Sequence, residues 1–174
     1  VRMLLKSGTE GADGAIYNVE GMPYDDITLV GSGSSQYFVA NLPDGKKAYY
    51  GKKTKFPSSD STPCVWYLDK IVDVYDNVIT YNYTTNGNCV YLSRVVYGTN
   101  EREATSFSAN VEFSYENRTD TVKTAIYGKK CNMCRRLKNI TVKTTKISTT
   151  TTWYIYNLTY QNTDAFSRLK TVTK

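Results

Sequence analysis

The strongest constraint on the fold is a two-residue alternation of apolar or aromatic with polar side chains. It runs through Val78-Ile79-Thr80-Tyr81-Asn82-Tyr83, Val111-Glu112-Phe113-Ser114-Tyr115 and Trp153-Tyr154-Ile155-Tyr156-Asn157-Leu158-Thr159-Tyr160. Successive side chains of a strand point to opposite faces, so this period predicts strands with two different faces. No long stretch carries the 3.6-residue apolar period of a helix, and helix is expected to be minor. Sixteen tyrosines and the threonine run Thr149 to Thr152 push the same way, because aromatic and β-branched residues favour strands. The expected fold is all-β: an extended, twisted, mostly antiparallel sheet of successive β-hairpins.

Turn residues divide the chain. Residues 1–36 are rich in Gly, Ser, Asp and Thr, with short apolar stretches such as Ile27-Thr28-Leu29-Val30, and predict a loosely ordered segment with short strands. The hairpin region is expected over 37–174. Tyr37-Phe38-Val39-Ala40 and Ala48-Tyr49-Tyr50-Gly51 flank Pro43-Asp44-Gly45, a tight-turn sequence, and predict one hairpin. An irregular excursion with Pro57 and Pro63 follows. Val65 to Leu68 and Lys70 to Asp73 then lead to Asp76-Asn77, a pair that tolerates a left-handed turn, while Thr84 to Asn88 predicts the next turn and Val90 to Gly98 the next strand.

The 174-residue chain has no histidine, which removes Ser-His-Asp and Cys-His catalysis and His-ligated metals from within it. Lys and Arg number 22 against 16 Asp and Glu, for a net charge of +6, but the cations are scattered. Lys129, Lys130, Arg135 and Arg136 cluster about the CxxC, which reads as a basic hairpin tip and not as a groove tracking a phosphate backbone, so no nucleic-acid partner is expected. No apolar run approaches the ~20 residues of a membrane-crossing helix. Val1 follows no start signal and the strand-like stretch to Lys174 has no terminator, so the chain is expected to be part of a longer protein.

The remaining chemistry-bearing residues are few. Cys131-Asn132-Met133-Cys134 is a lone CxxC bracketed by the four clustered cations, a setting that suits redox chemistry or metal binding. A zinc site needs a second such pair and a thioredoxin motif a βαβ setting, neither of which is present. The expectation is a Cys131–Cys134 disulfide, or two thiols, at a hairpin tip, with pairing of Cys64 and Cys89 left open. The acid pairs Asp25–Asp26, Asp69–Asp73 and Glu112–Glu116 have the composition for glycoside hydrolysis, and Asp69 and Asp73 are expected to share a strand face. Paired acids of this kind are commonly solvated sheet residues, and no catalysis and no cofactor are expected. Sequons at Asn82, Asn117, Asn139 and Asn157 are ordinary in a Thr-rich chain. Trp66 and Trp153 are the candidates for stacking on sugars; burial of both favours a structural role and a shared exposed groove favours recognition.

Leu-x-x-Ile/Val recurs at Leu68 to Ile71, Leu92 to Val95, Leu137 to Ile140 and Leu169 to Val172, and an aromatic strand follows each of the first three, at Tyr81 and Tyr83, at Phe113 and Tyr115, and at Tyr154 to Tyr160. Unequal intervals make the unit a hairpin of variable length. The run from Trp66 through Leu68, Ile71, Asp73 and Asn77 to Tyr81 and Tyr83 resembles the W-x-L-x-K-I-x-D-x-x-G-N-x-I-x-Y-x-Y pattern of SpvB-type proteins, Tc-toxin B subunits and the related Rhs (YD-repeat) proteins. Downstream, Tyr91-Leu92 to Tyr97-Gly98 resembles their Y-L-x-x-I-x-Y-G. Val111-x-Phe113-x-Tyr115-x-x-Arg118-x-Asp120 resembles V-x-F-x-Y-x-x-R-x-D, and Leu137 to Tyr160 with Ser167-Arg168-Leu169 resembles the next hairpin and its S-R-L. The chain departs from the pattern at Asp76, where the family has Gly, in the polar loop between Gly98 and Val111, and in its CxxC.

This resemblance implies a structural, non-catalytic strip of a large bacterial β-shell, secreted or at the cell surface, that encloses a toxic C-terminal region. Its implied partners are adjacent segments of its own parent protein and the enclosed toxin, and in isolation the unpaired edges of such a strip are expected to pair with a second copy. The self-cleaving aspartates of the Rhs core have no counterpart here, so no proteolytic activity carries over. The alternative is a surface β-module that binds glycans or host protein through exposed aromatics.

Overall fold

The computed structural model describes residues 2–57, 63–163 and 166–174. Among the described residues, twelve antiparallel strands follow one another in sequence order, each hydrogen-bonded to its chain neighbours, in one sheet. The described residues contain no α-helix, only one short 3-10 turn at Gly33–Ser35. The chain divides into two compact units, Val1–Thr80 and Tyr81–Lys174.

The first unit holds β1 (Met3–Ser7), β2 (Ile16–Val19), β3 (Met22–Val30), β4 (Tyr37–Asn41), β5 (Lys47–Phe56), β6 (Val65–Val72) and the start of β7 (Asn77–Asn86). Three strands thus lie within residues 1–36, and β3 pairs with β4 through Ile27↔Ala40 and Leu29↔Phe38. Ala15, Tyr17 and Leu29 form a small buried cluster, with Ile27 and Phe38 packed against it. The β4–β5 hairpin closes at Pro43-Asp44-Gly45, where the Gly45 amide donates to the Leu42 carbonyl at 2.9 Å. Asp76 takes the left-handed conformation, φ 63°, in the β6–β7 turn. Part of the expected excursion, residues 58–62, lies outside the described residues.

The second unit holds the rest of β7, then β8 (Cys89–Asn100), β9 (Phe107–Ile126), β10 (Lys129–Lys146), β11 (Thr149–Thr163) and β12 (Phe166–Thr173). β9 and β10 form one long hairpin whose turn, Tyr127-Gly128, carries φ of 47° and 77°. The cysteine pair expected at a hairpin tip lies within β10, and the tip itself is Tyr127, 82% exposed.

A single sheet layer buries little. Among the described residues, no large side chain is completely buried, and Trp153, Tyr154 and Ile155 of β11 and Phe166, Leu169 and Val172 of β12 are exposed, as are Met3, Leu4 and Leu5 of β1.

Candidate functional site

In the first unit the expected motif residues gather around β5 and β6. Trp66 is half-buried, its ring edge-on to Phe38 at 5.2 Å, and Phe38 in turn meets Tyr17 edge-on at 6.3 Å. Beneath the indole the chain needs a glycine. A Cβ at Gly51, φ 73°, would collide with Trp66 Cδ1. The register breaks there, with Tyr50 opposite Leu68 but Lys55 opposite Trp66, so residues 51–54 bulge out of β5. Asp69, only 2% exposed, holds the bulge by accepting the Lys53 amide at 2.7 Å. Ile71 pairs with Ala48 on one side and with Ile79 on the other.

Asp73 lies beyond the end of β6, in the turn, and does not share a strand face with Asp69 as expected. Its carboxylate accepts the Tyr75 and Asn77 amides and the Asn77 side-chain NH2, at 2.8–2.9 Å. These donors, the Asn77 side chain foremost, hold the Asp73 carboxyl below its usual value. The motif pair Asp73 and Asn77 therefore builds a turn. The other acids are engaged too: Asp26 pairs with Lys6, Glu112 with Lys143 and Glu116 with Arg136, while the Asp25 side chain lies outside the described residues.

In the second unit one contact repeats. The Tyr115 hydroxyl of β9 donates to the Leu92 carbonyl of β8 at 2.7 Å, and the Tyr160 hydroxyl of β11 donates to the Leu137 carbonyl of β10 at 2.6 Å, both across a sequence separation of 23. Each bond joins the aromatic strand of one hairpin to the Leu of the motif before it. Burial raises both tyrosine pKa values, which keeps the hydroxyls protonated as donors. Beside Tyr160, Arg136 lies 4.4 Å over the ring and donates Nε to Glu116, its partner across β9–β10, at 2.7 Å. That guanidinium is thus committed within the sheet.

A second node spans more chain. Between Met133↔Val122 and Arg135↔Asn117, residues 118–121 of β9 face only Cys134 of β10, so Arg118 and Asp120 stand in a bulge. Arg118 grips Asp120 through two nitrogens at 2.9 and 2.6 Å, and Asp120 accepts from Ser167 of β12. The R-x-D and S-R-L motif residues meet here. Of the other motif positions, Tyr81, Tyr83, Leu92, Phe113 and Leu137 are half-buried, Tyr97 and Leu169 are exposed, and Gly98 has φ 79°, with Phe107 packed where a Cβ would stand.

The cysteine expectation is corrected. Cys131 is bonded to Cys89, with Cα atoms 5.1 Å apart, while Cys64 and Cys134 remain thiols. Residues three apart on an extended strand have Cα atoms about 10 Å apart, beyond the ~7 Å a disulfide can span, so the CxxC cannot close on itself. The β7–β8 turn, Gly87-Asn88, lies against β10 instead, and the Asn132 amide donates to the Gly87 carbonyl at 2.9 Å. Nothing in the sequence spacing announces this pairing, which depends on where a turn lands two strands away.

Among the described residues no group of acids and cysteines is arranged to hold a metal, and no helix is long and apolar enough to cross a membrane. An open cleft of about 380 Å3 in the second unit is lined by Asn86, Tyr91, Phe113, Tyr115 and Arg135 among others. It holds no nucleophile–base pair.

No family model and no curated protein matches the sequence. Solved structures do. The N-terminal domain of the effector protein SpvB from Salmonella typhimurium strain LT2 matches with a TM-score of 0.74 at 15% identity, over 91% of this chain and 68% of that one. The TcdB2-TccC3-Cdc42 structure and the Photorhabdus luminescens Tc holotoxin pore each match with a TM-score of 0.73, at 16% and 17% identity, over 99% of this chain. The chain spans only 11% of each of those Tc-toxin chains. With its sequential antiparallel hairpins, this chain has the fold of the SpvB N-terminal domain and of the matched part of the Tc-toxin chains, as the resemblance of its motifs implied.

Proposed function

We propose that this chain is a non-catalytic wall segment of a secreted bacterial Rhs/Tc-toxin-like protein whose β-shell encloses a toxic C-terminal region. The observation that carries this reading is the pair of apolar terminal strands. β1 and β12 each have one unpaired edge in the strand order, and both expose large hydrophobic side chains. Large apolar side chains exposed on a single sheet layer suit a wall that is covered by other parts of its parent. Edge-to-edge pairing of two copies is what such a strip does when isolated. The polar residues that suggested chemistry, including Asp69, Asp73, Glu112 and Glu116, serve bulges, turns and cross-strand ion pairs, which fits a structural role.

The second reading, glycan recognition through exposed aromatics, draws on Trp153 and its exposed neighbour Tyr154, and not on Trp66. Trp153 is 59% exposed, whereas Trp66 is packed between Phe38 and Gly51 and offers no platform.

Intact mass and limited proteolysis of the full-length parent test the first reading. A cleaved C-terminal fragment that stays associated and resists protease until the shell is denatured is the expected result. Absence of any protected fragment overturns enclosure, and a glycan screen on this chain then tests the second reading.

A further inference from the structure

The cysteine cluster of the second unit does more than staple. Cys89 follows the β7–β8 turn and is joined to Cys131 on β10, and the same turn also meets Cys134. Cys134 Sγ donates to Asn86 Oδ1 at 2.8 Å, and it lies 2.9 Å from where a Cβ on Gly87 would stand. The Asn132 carbonyl lies 2.5 Å from that same point, so only glycine admits strand β10 and its thiol so close. One short turn is therefore held at three points of β10, covalently at Cys131, through the backbone at Asn132 and through a thiol at Cys134. Cys134 is half-buried, while the arm of the β9–β10 hairpin beyond it is largely exposed, from Val122 at 36% to Tyr127 at 82%.

We propose that Cys134 is a resolving thiol for the Cys89–Cys131 bond, so that the tie between the β7–β8 turn and β10 is an exchangeable clasp with two positions. The Cys134 thiolate attacks Cys89 Sγ, the S–S bond to Cys131 breaks, and Cys131 leaves as a thiolate that takes up the proton Cys134 gave to water. One disulfide and one thiol are present before and after, and no outside oxidant or reductant is consumed. Attack on Cys131 Sγ is excluded by the strand geometry that forbids a Cys131–Cys134 bond. The exchange moves the point of attachment three residues along β10, about 10 Å. A low-molecular-weight thiol such as glutathione opens the clasp from either position.

The test uses the full chain carrying Cys64→Ser, which leaves only the three clustered cysteines. Adding Cys131→Ser and equilibrating in a glutathione redox buffer is expected to form a Cys89–Cys134 disulfide, read by iodoacetamide trapping and non-reducing peptide mapping. Cys89 and Cys134 both remaining alkylatable in a chain that keeps its β-sheet circular dichroism overturns the proposal. If Cys131→Ser unfolds the chain, the Cys64→Ser chain with a catalytic amount of glutathione decides. Alkyl label then appears on Cys131 as well as on Cys134, alongside a Cys89–Cys134 peptide. Label confined to Cys134 at every time point, or a Cys131–Cys134 peptide, overturns it.

Discussion

Ser167 gives both its backbone amide, at 2.6 Å, and its hydroxyl, at 2.9 Å, to the carboxylate of Asp120, 47 residues earlier in the chain. Arg118 holds the same carboxylate, the ion pair being only 16% and 10% exposed at its two side chains. The bulge in β9 is thereby fixed to the first residues of β12.

Asp120 makes this node acid-sensitive. The Arg118 hydrogen bonds, then the Ser167 amide, hold its carboxyl well below the usual carboxylate range. A carboxyl whose folded pKa is depressed stabilises the fold above its unfolded value, near pH ~4, and that contribution fades as pH falls toward the lower folded value. Asp120→Asn is therefore expected to be less stable than the parent at pH 7, with the gap closing below about pH 4. Urea unfolding at a series of pH values checks this, and a gap independent of pH refutes it. Ser167→Ala, which keeps the amide bond and loses only the hydroxyl bond to a charged acceptor, is expected to cost about 1.5 kcal/mol.

Tyr115→Phe and Tyr160→Phe each remove one hydroxyl that donates to a strand carbonyl. Each is expected to cost about 1 kcal/mol. Because the two bonds occupy equivalent places in successive hairpins, the costs should be similar, and the double variant should show their sum. Chemical denaturation of the single and double variants measures both.

Gly51→Ala is expected to be severe, about 3 kcal/mol, because it adds left-handed strain to a collision with the Trp66 ring. Gly21→Ala supplies the control in the same unit. Gly21 has φ 81° and nothing within 4 Å of a Cβ, so it pays only the conformational cost of about 1 kcal/mol. Tryptophan fluorescence should shift for Gly51→Ala and not for Gly21→Ala.

Loss of the Cys89–Cys131 bond, through Cys89→Ser with Cys131→Ser, releases a closure with a sequence separation of 42. Chain-entropy arithmetic for a loop of that size gives a loss of about 4 kcal/mol. The reduced parent and the double variant should melt together, and below the oxidised parent.

Strands with clean alternation were legible because the period reports the two faces directly: Val78–Tyr83 falls in β7, Val111–Tyr115 in β9 and Trp153–Tyr160 in β11. β10 carries no such signal, since Lys129 to Lys146 mixes cations, cysteines and threonines without a steady period. Its bounding turns, Tyr127-Gly128 and Ile147-Ser148, also lack the Asn-Gly signature of a tight hairpin. Motif positions were visible as residues but not as contacts. Asp120 and Ser167 each stood in a recognised motif, yet their meeting depends on a bulge that displaces residues 118–121. Cysteine pairing was hidden for a related reason, because local spacing carries no information about a turn landing on a strand beyond its immediate neighbour.

The strictly sequential strand order also sets how such a chain is made. Every strand from β2 onward meets its first hydrogen-bonding partner in the segment synthesised just before it. The sheet can therefore lengthen at the pace of translation, with only one fresh edge waiting at any moment. The Cys89–Cys131 bond and the Asp120–Ser167 contact come later than local pairing, as locks that close once the intervening hairpins are in place.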